Sequence, residues 1–276
     1  MDLTDVDDLK VAMRLAGLKA QKTLGQHFLV DNDSLEAVMQ AGELNSDDVV
    51  LEIGPGLGVM TAPLAAQVKS LVAVEMDQDL ATLLERDKPV NLDVRQADII
   101  SFDLTSLPSS YKVVANIPYY LTSKIFRLLL ESSNPPAIMS LLIQKEVAQR
   151  IVARPGQMSV LAFSVQYYGA PTLVRIVERH KFWPPPKVDS AILQVKVYDQ
   201  PAFNADRDKL FRLVKAGFGE KRKMLKNSLA GGLNLEMALA ERLLKEAKIK
   251  PTARAQELDM RAWQRLYDIA LKYEII

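Results

Sequence analysis

Apolar residues gather along this chain in seven short runs. Five of them, Val49–Ile53, Leu71–Met76, Leu92–Arg95, Lys112–Asn116 and Ile138–Ile143, are separated by segments of helical length. Strands buried on both faces need such runs, so the alternation predicts a parallel sheet covered by helices on both sides. Two later runs, Thr172–Val177 and Ala191–Val197, have only a loop between them and read as an antiparallel pair at one edge. The expected class is α/β: a doubly wound, seven-stranded, mostly parallel sheet with an antiparallel edge strand. After Val197 the pattern changes. Gln200–Pro201 breaks the strand, and helical spacing follows at Arg207–Phe218, Lys221–Leu229, Glu236–Lys245 and Met260–Lys272, punctuated by Gly231–Gly232 and Pro251. The pattern predicts one domain over residues 1–201 and a small helical domain over 202–276.

Composition narrows the chemistry. The chain has 276 residues, 49% of them hydrophobic, which is ample for a packed core. It contains no cysteine and two histidines, His27 and His180. A thiolate nucleophile, a cysteine-ligated zinc site and a cysteine-held iron–sulfur cluster are excluded, and no metal site is expected. No apolar run reaches the roughly 18–20 residues of a membrane helix. The acidic start, with Asp2, Asp5, Asp7 and Asp8, suits neither a signal nor a transit peptide, so a cytoplasmic location is expected. The net charge is only +1, yet Arg207–Lys226 holds eight Lys/Arg against Asp208 and Glu220. A local basic face can bind phosphates on a neutral protein; its ordinary alternative is a solvated helix surface.

The first strand runs into Glu52-Ile-Gly54-Pro55-Gly56-Leu-Gly58. Glycines at a strand-to-helix turn permit tight backbone and close ligand approach. Their spacing is G-x-G-x-G, which departs from the dinucleotide fingerprint G-x-G-x-x-G. Pro55 also lacks the amide that a phosphate loop would use. A nucleoside ligand without pyrophosphate fits better, and S-adenosylmethionine meets that description. Glu75 ends the second strand about 20 residues on, where an acid grips ribose hydroxyls in nucleotide-binding sheets. Asp98, just past the third strand with Ile99 beside it, suits an adenine amino group; its ordinary alternative is a helix N-cap.

The fourth strand ends in Asn116-Ile117-Pro118-Tyr119. An exocyclic adenine amine is a poor nucleophile because its lone pair is delocalised into the ring. It needs two acceptors that hold its hydrogens and draw the nitrogen toward tetrahedral geometry. The Asn116 side-chain carbonyl and the Ile117 backbone carbonyl supply them. Pro118 keeps the preceding residue extended and so fixes where that carbonyl points. Tyr119 offers a ring for purine stacking, typically worth roughly 1–3 kcal/mol.

These motifs resemble the ribosomal RNA adenine dimethyltransferases of the KsgA type, and the resemblance covers nearly the whole chain. Residues 21–29, Gln-Lys-Thr-Leu-Gly-Gln-His-Phe-Leu, look like that family's N-terminal cofactor motif. Glu52–Gly58, Glu75, Asp98 and Asn116–Tyr119 match its central motifs, and residues 182–190, Phe-Trp-Pro-Pro-Pro-Lys-Val-Asp-Ser, are similar to its late motif. Residues 218–229 and 254–258 resemble its C-terminal helical domain. The resemblance implies a Rossmann-like class I methyltransferase fold and, as substrate, two adjacent adenosines near the 3′ end of small-subunit rRNA. It implies cofactor contacts from His27, Leu29, Gly54, Glu75, Asp98 and Asn116. It places Asn116 and Tyr119 at the target adenine, with Phe182 on the base's other face. The chain departs from the pattern at His27, where bacterial members often have Asn.

A target base must leave its stack or start in a loop, and a cleft between sheet and helical domain is its expected entry. Lys19, Lys22, Lys221, Arg222, Lys223 and Lys226 are the candidate phosphate contacts, which position RNA without reading sequence. The expected partner is the small ribosomal subunit or an assembly intermediate, and the expected state is a monomer. Three competitors share parts of this reading. An Erm-type enzyme on large-subunit rRNA would share the catalytic motif. A ribosome assembly or transcription factor could use the fold without catalysis, against which the intact tetrapeptide argues. A DNA adenine methyltransferase would commonly carry two prolines in the tetrapeptide and a further recognition domain.

Overall fold

The computed structural model describes residues 1–18, 26–86, 88–220 and 222–276. They form two compact units, Met1–Ala148 with Ala170–Val197, and Gln149–Gly169 with Tyr198–Ile276.

The first unit opens with α1 (Val6–Leu15), capped by the Asp5 carboxylate, which accepts from the Asp7 and Asp8 amides at 2.9 and 3.0 Å. It continues through β1 (Phe28–Leu29), α2 (Asn32–Ala41), β2 (Val49–Ile53), α3 (Thr61–Ala65), β3 (Ser70–Glu75), α4 (Gln78–Arg86), β4 (Leu92–Gln96), β5 (Lys112–Asn116), α5 (Thr122–Leu130) and β6 (Ile138–Gln144). After α6 (Lys145–Ile151) and α7 (Val160–Tyr168) come β7 (Gly169–Val177), β8 (Phe182–Trp183) and β9 (Ser190–Val197). The main sheet has the order β4-β3-β2-β5-β6-β9-β7. The pairs β3/β4, β2/β3, β2/β5 and β5/β6 are parallel, and β9 runs antiparallel to β6. Successive residues such as Val113 and Val114, or Leu141 and Leu142, are fully buried, so both faces of the central strands are covered, as their apolar runs demand. On one face, Val50, Leu71, Val114 and Ile192 pack with Leu35 and Val38 of α2 and Leu64 of α3.

Strand order reverses between β2 and β5, because β3 and β4 extend one way and β6 the other. Open α/β sheets bind ligands in the crevice at such a switch point, beyond the C-terminal strand ends. The Gly54 turn, Glu75, Asp98 and Asn116 all stand at that edge.

One feature was absent from the sequence reading. The stretch between β7 and β9 holds more than a loop: β8 pairs antiparallel with β1, Phe28 opposite Trp183 and Leu29 opposite Phe182, and the Val30 amide donates to the Lys181 carbonyl at 2.8 Å. Two-residue strands are too short to display a period.

The second unit contains α7, α8 (Arg207–Phe218), α9 (Leu225–Leu233), α10 (Met237–Glu246) and α11 (Met260–Lys272). Its core gathers Phe163, Tyr167, Leu210, Val214, Leu229, Leu243 and Leu266 around Trp263. This division differs from the expected one at 201/202. The chain crosses over at Val197, and residues 149–169 belong with the C-terminal helices. The cause lies in α7: Phe163 meets Trp263 edge-on at 5.8 Å, and the Tyr167 hydroxyl donates to the Phe203 carbonyl at 3.0 Å. Helical spacing announces a buried face but does not say which core receives it. Helix α9 begins at Leu225, later than the expected Lys221. Among the described residues no helix is long and apolar enough to cross a membrane.

Candidate active site

The site begins where β2 leaves the sheet. Gly54 and Gly56 take φ values of +63° and +60°, a region that side chains disfavour. At Gly56 space is also short, since a Cβ there would lie 3.0 Å from Cε1 of Phe28. At Gly54 a Cβ would meet no atom within 4 Å. That backbone therefore faces open cleft, a cradle that any side chain would fill. Behind the turn, Leu9 and Met13 of α1 pack with Phe28, Leu57, Val59 and Leu80, so the N-terminal helix braces the glycine loop.

Three acids follow the strand ends. Glu75 is 7% exposed, and its two carboxylate oxygens accept from the Gly56 amide at 3.0 Å and the Asp77 amide at 2.9 Å. These bonds orient the carboxylate and leave lone pairs for ligand hydroxyls. Burial nevertheless pushes its pKa above the ordinary carboxylate value. Asp98 caps a 3₁₀ turn, Oδ1 accepting from the Ile100 amide at 2.9 Å, with Oδ2 as its second acceptor. Glu52 differs from both: it is fully buried, and neither its oxygens nor the neighbouring buried Thr61 hydroxyl make a hydrogen bond of good geometry. An ionised carboxylate there would be costly, so burial pushes its pKa up to about 8, against the smaller downward pull of the Thr61 hydroxyl and with the charge of Glu75 adding a little.

Strand β5 delivers the tetrapeptide. Asn116 Nδ2 donates to the His27 carbonyl at 2.8 Å, which fixes the amide and leaves Oδ1 as its free end. His27 is itself held: Nδ1 donates to the Pro184 carbonyl at 2.7 Å. Its ring stacks on Tyr119 with centroids 6.1 Å apart and planes 28° from parallel. Ile117 is buried, and its amide donates to the Leu142 carbonyl at 3.0 Å. Pro118, at φ −54° and ψ 129°, turns the chain into a 3₁₀ segment that begins with Tyr119. The Tyr119 hydroxyl shares a 2.8 Å hydrogen bond with Ser190, and burial raises the phenol's pKa.

These groups line one cleft of about 1110 Å³, counting space open to solvent. Of the residues expected from sequence, His27, Leu29, Gly54, Glu75, Asp98, Asn116, Ile117, Pro118 and Tyr119 all line it. Phe182 does not. It is 3% exposed and sits in the core with Leu29, Val177 and Ile192. Side chains alternate across a strand, so the β1/β8 pair sends Leu29 and Phe182 inward, while Phe28 and Trp183 pack toward α1 and the glycine loop. The Phe182 ring, expected on the far face of the target base, thus stands in the core and not on the cleft wall. The cleft also includes Met60, Met76, Asp77 and Tyr120, which sequence reasoning passed over. Met76 (49% exposed) and Tyr120 (58%) were findable, as large apolar side chains directly after Glu75 and Tyr119 that the core does not take.

In the second unit Lys223 pairs with Glu220 and Lys226 with Glu241, each at 2.6 Å, and Arg222 is exposed. Lys19, Lys22 and Lys221, like residues 21–25 of the N-terminal motif, lie outside the described residues.

The residues present fit S-adenosylmethionine: an open glycine cradle, an oriented acid at the ribose position, a second acid for the adenine amine and an apolar lining. Comparison with known proteins agrees. A family model described as ribosomal RNA adenine dimethylase matches residues 17–271. The chain is 41% identical over 258 residues to a ribosomal RNA small subunit methyltransferase A of Dehalococcoides mccartyi, covering 90% of this chain and 88% of that one. To a protein of the same name from Desulfitobacterium hafniense it is 36% identical, covering 93% and 94%. Its fold is similar to the crystal structure of a dimethyladenosine transferase from Plasmodium falciparum, with a TM-score of 0.80 at 26% identity over 90% of this chain and 98% of that one. The 23S rRNA methyltransferase ErmE aligns with a TM-score of 0.70 at 27% identity over 88% and 98%.

Proposed function

The chain belongs to the ribosomal RNA adenine dimethylase family, with S-adenosylmethionine as cofactor, and from there we propose that it dimethylates N6 of two adjacent adenosines near the 3′ end of small-subunit rRNA. It does so in the cytoplasm, as a monomer, and contributes to assembly of the small subunit. The similarity to proteins named for the small subunit, at 36–41% identity over most of the chain, supports that target over large-subunit RNA.

One observation carries the catalytic reading: the Asn116 amide is tied down by its nitrogen and lines the cleft, which leaves Oδ1 to accept. In this reading Oδ1 and the Ile117 carbonyl hold the two N6 hydrogens of adenine in the first transfer, and in the second, one of them holds the hydrogen that remains. They draw the nitrogen toward tetrahedral geometry, which takes its lone pair out of conjugation with the ring and aims it at the carbon it attacks. Positioning two reactants in line is worth orders of magnitude in rate. As the N–CH3 bond forms, the S–CH3 bond would break to leave a neutral thioether. The methylated nitrogen, now cationic and acidic, sheds its proton to solvent, so no strong base is required. Tyr119 receives the base on its ring, stacked from behind by His27. S-adenosylmethionine, when bound, supplies a methyl group made electrophilic by its sulfonium. Glu75 holds the ribose hydroxyls, Asp98 takes the adenine amine beside Ile99, the Gly54 turn lets the backbone approach closely, and His27 and Leu29 close the near wall. The exposed Arg222 and its neighbour Lys223 hold RNA phosphates.

The test offers the protein S-adenosylmethionine with small and large ribosomal subunits lacking the modification, followed by mass spectrometry of the rRNA nucleosides. Dimethyladenosine in small-subunit RNA is the expected product. Product in large-subunit RNA would move the assignment to the activity of ErmE.

A further inference from the structure

The late loop, residues 182–190, does not bring Phe182 to the cleft, yet it touches the catalytic tetrapeptide at both ends. At one end its Pro184 carbonyl holds His27, whose own carbonyl holds Asn116. At the other, Ser190 meets the Tyr119 hydroxyl at 2.8 Å. We infer that Ser190 is a positioning residue for the methyl transfer: its hydroxyl fixes the Tyr119 ring in the orientation that receives the target base. This rests on the reading of Asn116–Tyr119 given above.

Ser190 and Tyr119 differ in how freely they can move. Ser190 is 1% exposed and opens β9 opposite Gln144 at the end of β6. The residue before it is fastened three ways. The Lys145 amide donates to the Asp189 carbonyl at 3.0 Å, the Arg179 amide donates to the Asp189 carboxylate at 3.2 Å, and the Lys145 ammonium lies 3.4 Å from it. Ser190 is thus a fixed point. Tyr119 is not: it sits in a 3₁₀ turn beyond the strand, with its carbonyl accepting from the Thr122 hydroxyl at 3.0 Å. That bond holds the backbone and leaves the ring free to turn about χ1. The phenol bond removes this freedom and keeps the ring stacked beside His27, the residue that also steadies Asn116. One hydrogen bond therefore sets the angle between the base-stacking ring and the amine-holding amide. On the cofactor side it reaches only His27, through the ring contact, and touches none of Gly54, Glu75 and Asp98.

The experiment measures kcat, KM for small subunits and cofactor affinity in the full-length wild type, Ser190→Ala, Tyr119→Phe and the double variant. Losing a neutral hydrogen bond that matters in the transition state costs roughly fivefold in rate. Ser190→Ala is expected to lower kcat by that order with cofactor affinity unchanged. Tyr119→Phe, which removes the same bond from the half-exposed side and leaves β9 intact, should lose as much. The double variant should lose no more than either single one. Three results would overturn the inference: wild-type kcat in Ser190→Ala, losses that multiply in the double variant, or a parallel loss of cofactor affinity. An Asn116→Ala control separates the layers. If it is inactive while Ser190→Ala runs at the wild-type rate, the inference alone fails; if it is active, the tetrapeptide reading fails and takes the inference with it.

Discussion

Glu52 gives the most quantitative prediction. It lies in the centre of the sheet on β2, fully buried, neither oxygen in a hydrogen bond of good geometry, with its pKa pushed from 4.5 to about 8. In the unfolded chain it ionises near 4.5. Between those two values the folded protein holds a proton that the unfolded chain has released. Stability from the neutral carboxyl is therefore fully present below pH 4.5 and is lost as pH rises toward 8, at about 1.4 kcal/mol per pH unit. The whole window amounts to about 5 kcal/mol, of which about 3 falls between pH 5 and 7. Glu52→Gln keeps the shape and removes the ionisation. Urea denaturation of wild type and variant, followed by circular dichroism at pH 5, 6 and 7, isolates this group, because every other titration is common to both. The wild type should lose about 3 kcal/mol relative to the variant across that range. Parallel curves would refute the reasoning, and would mean that Glu52 keeps its charge through a partner or a water.

Three further outcomes follow from the site and the core. Glu75 serves as an ionised acceptor with a raised pKa, so cofactor affinity should fall, by up to tenfold per pH unit, as pH drops through that raised value. Glu75→Gln should abolish the pH dependence and weaken binding roughly 10- to 100-fold, both measurable by isothermal calorimetry. Phe182→Ala empties a core position, so it should cost about 3–5 kcal/mol in unfolding free energy; a stable variant with a large loss in KM for RNA would restore the base-stacking role. Charge reversal at Arg222 and Lys223 should weaken subunit binding with a reduced salt dependence and spare cofactor binding; unchanged binding would mark that stretch as solvated surface.

How far the sequence reached depends on how local each cause is. Central strands advertise themselves, because burial on both faces demands mostly apolar residues: Val49–Ile53 and Lys112–Asn116, despite Glu52 and Lys112, emerge with the same limits in chain and fold. The strand-end chemistry was legible for the same reason, since a glycine turn and three polar residues at successive strand ends must share one edge. What escaped depends on partners distant in sequence. The two-residue strand β8 exists only because β1 lies beside it, and that pairing turns Phe182 inward. Helix α7 chose its core through Trp263, about 100 residues away. Ser190 stood in plain view at the end of the late motif, but nothing local says that its hydroxyl meets a tyrosine 71 residues earlier.

Asn116 is the group that holds the adenine amine, while Gly54, Glu75 and Asp98 carry most of the cofactor's binding. The direct measurement is single-turnover methylation of unmodified small subunits by wild type and Asn116→Ala at saturating S-adenosylmethionine, with cofactor affinity measured on the same preparations. A rate loss of about 100-fold or more, with cofactor affinity within a few-fold of wild type, is the predicted result. A variant that methylates at the wild-type rate, or that fails only because it no longer binds cofactor, would contradict it.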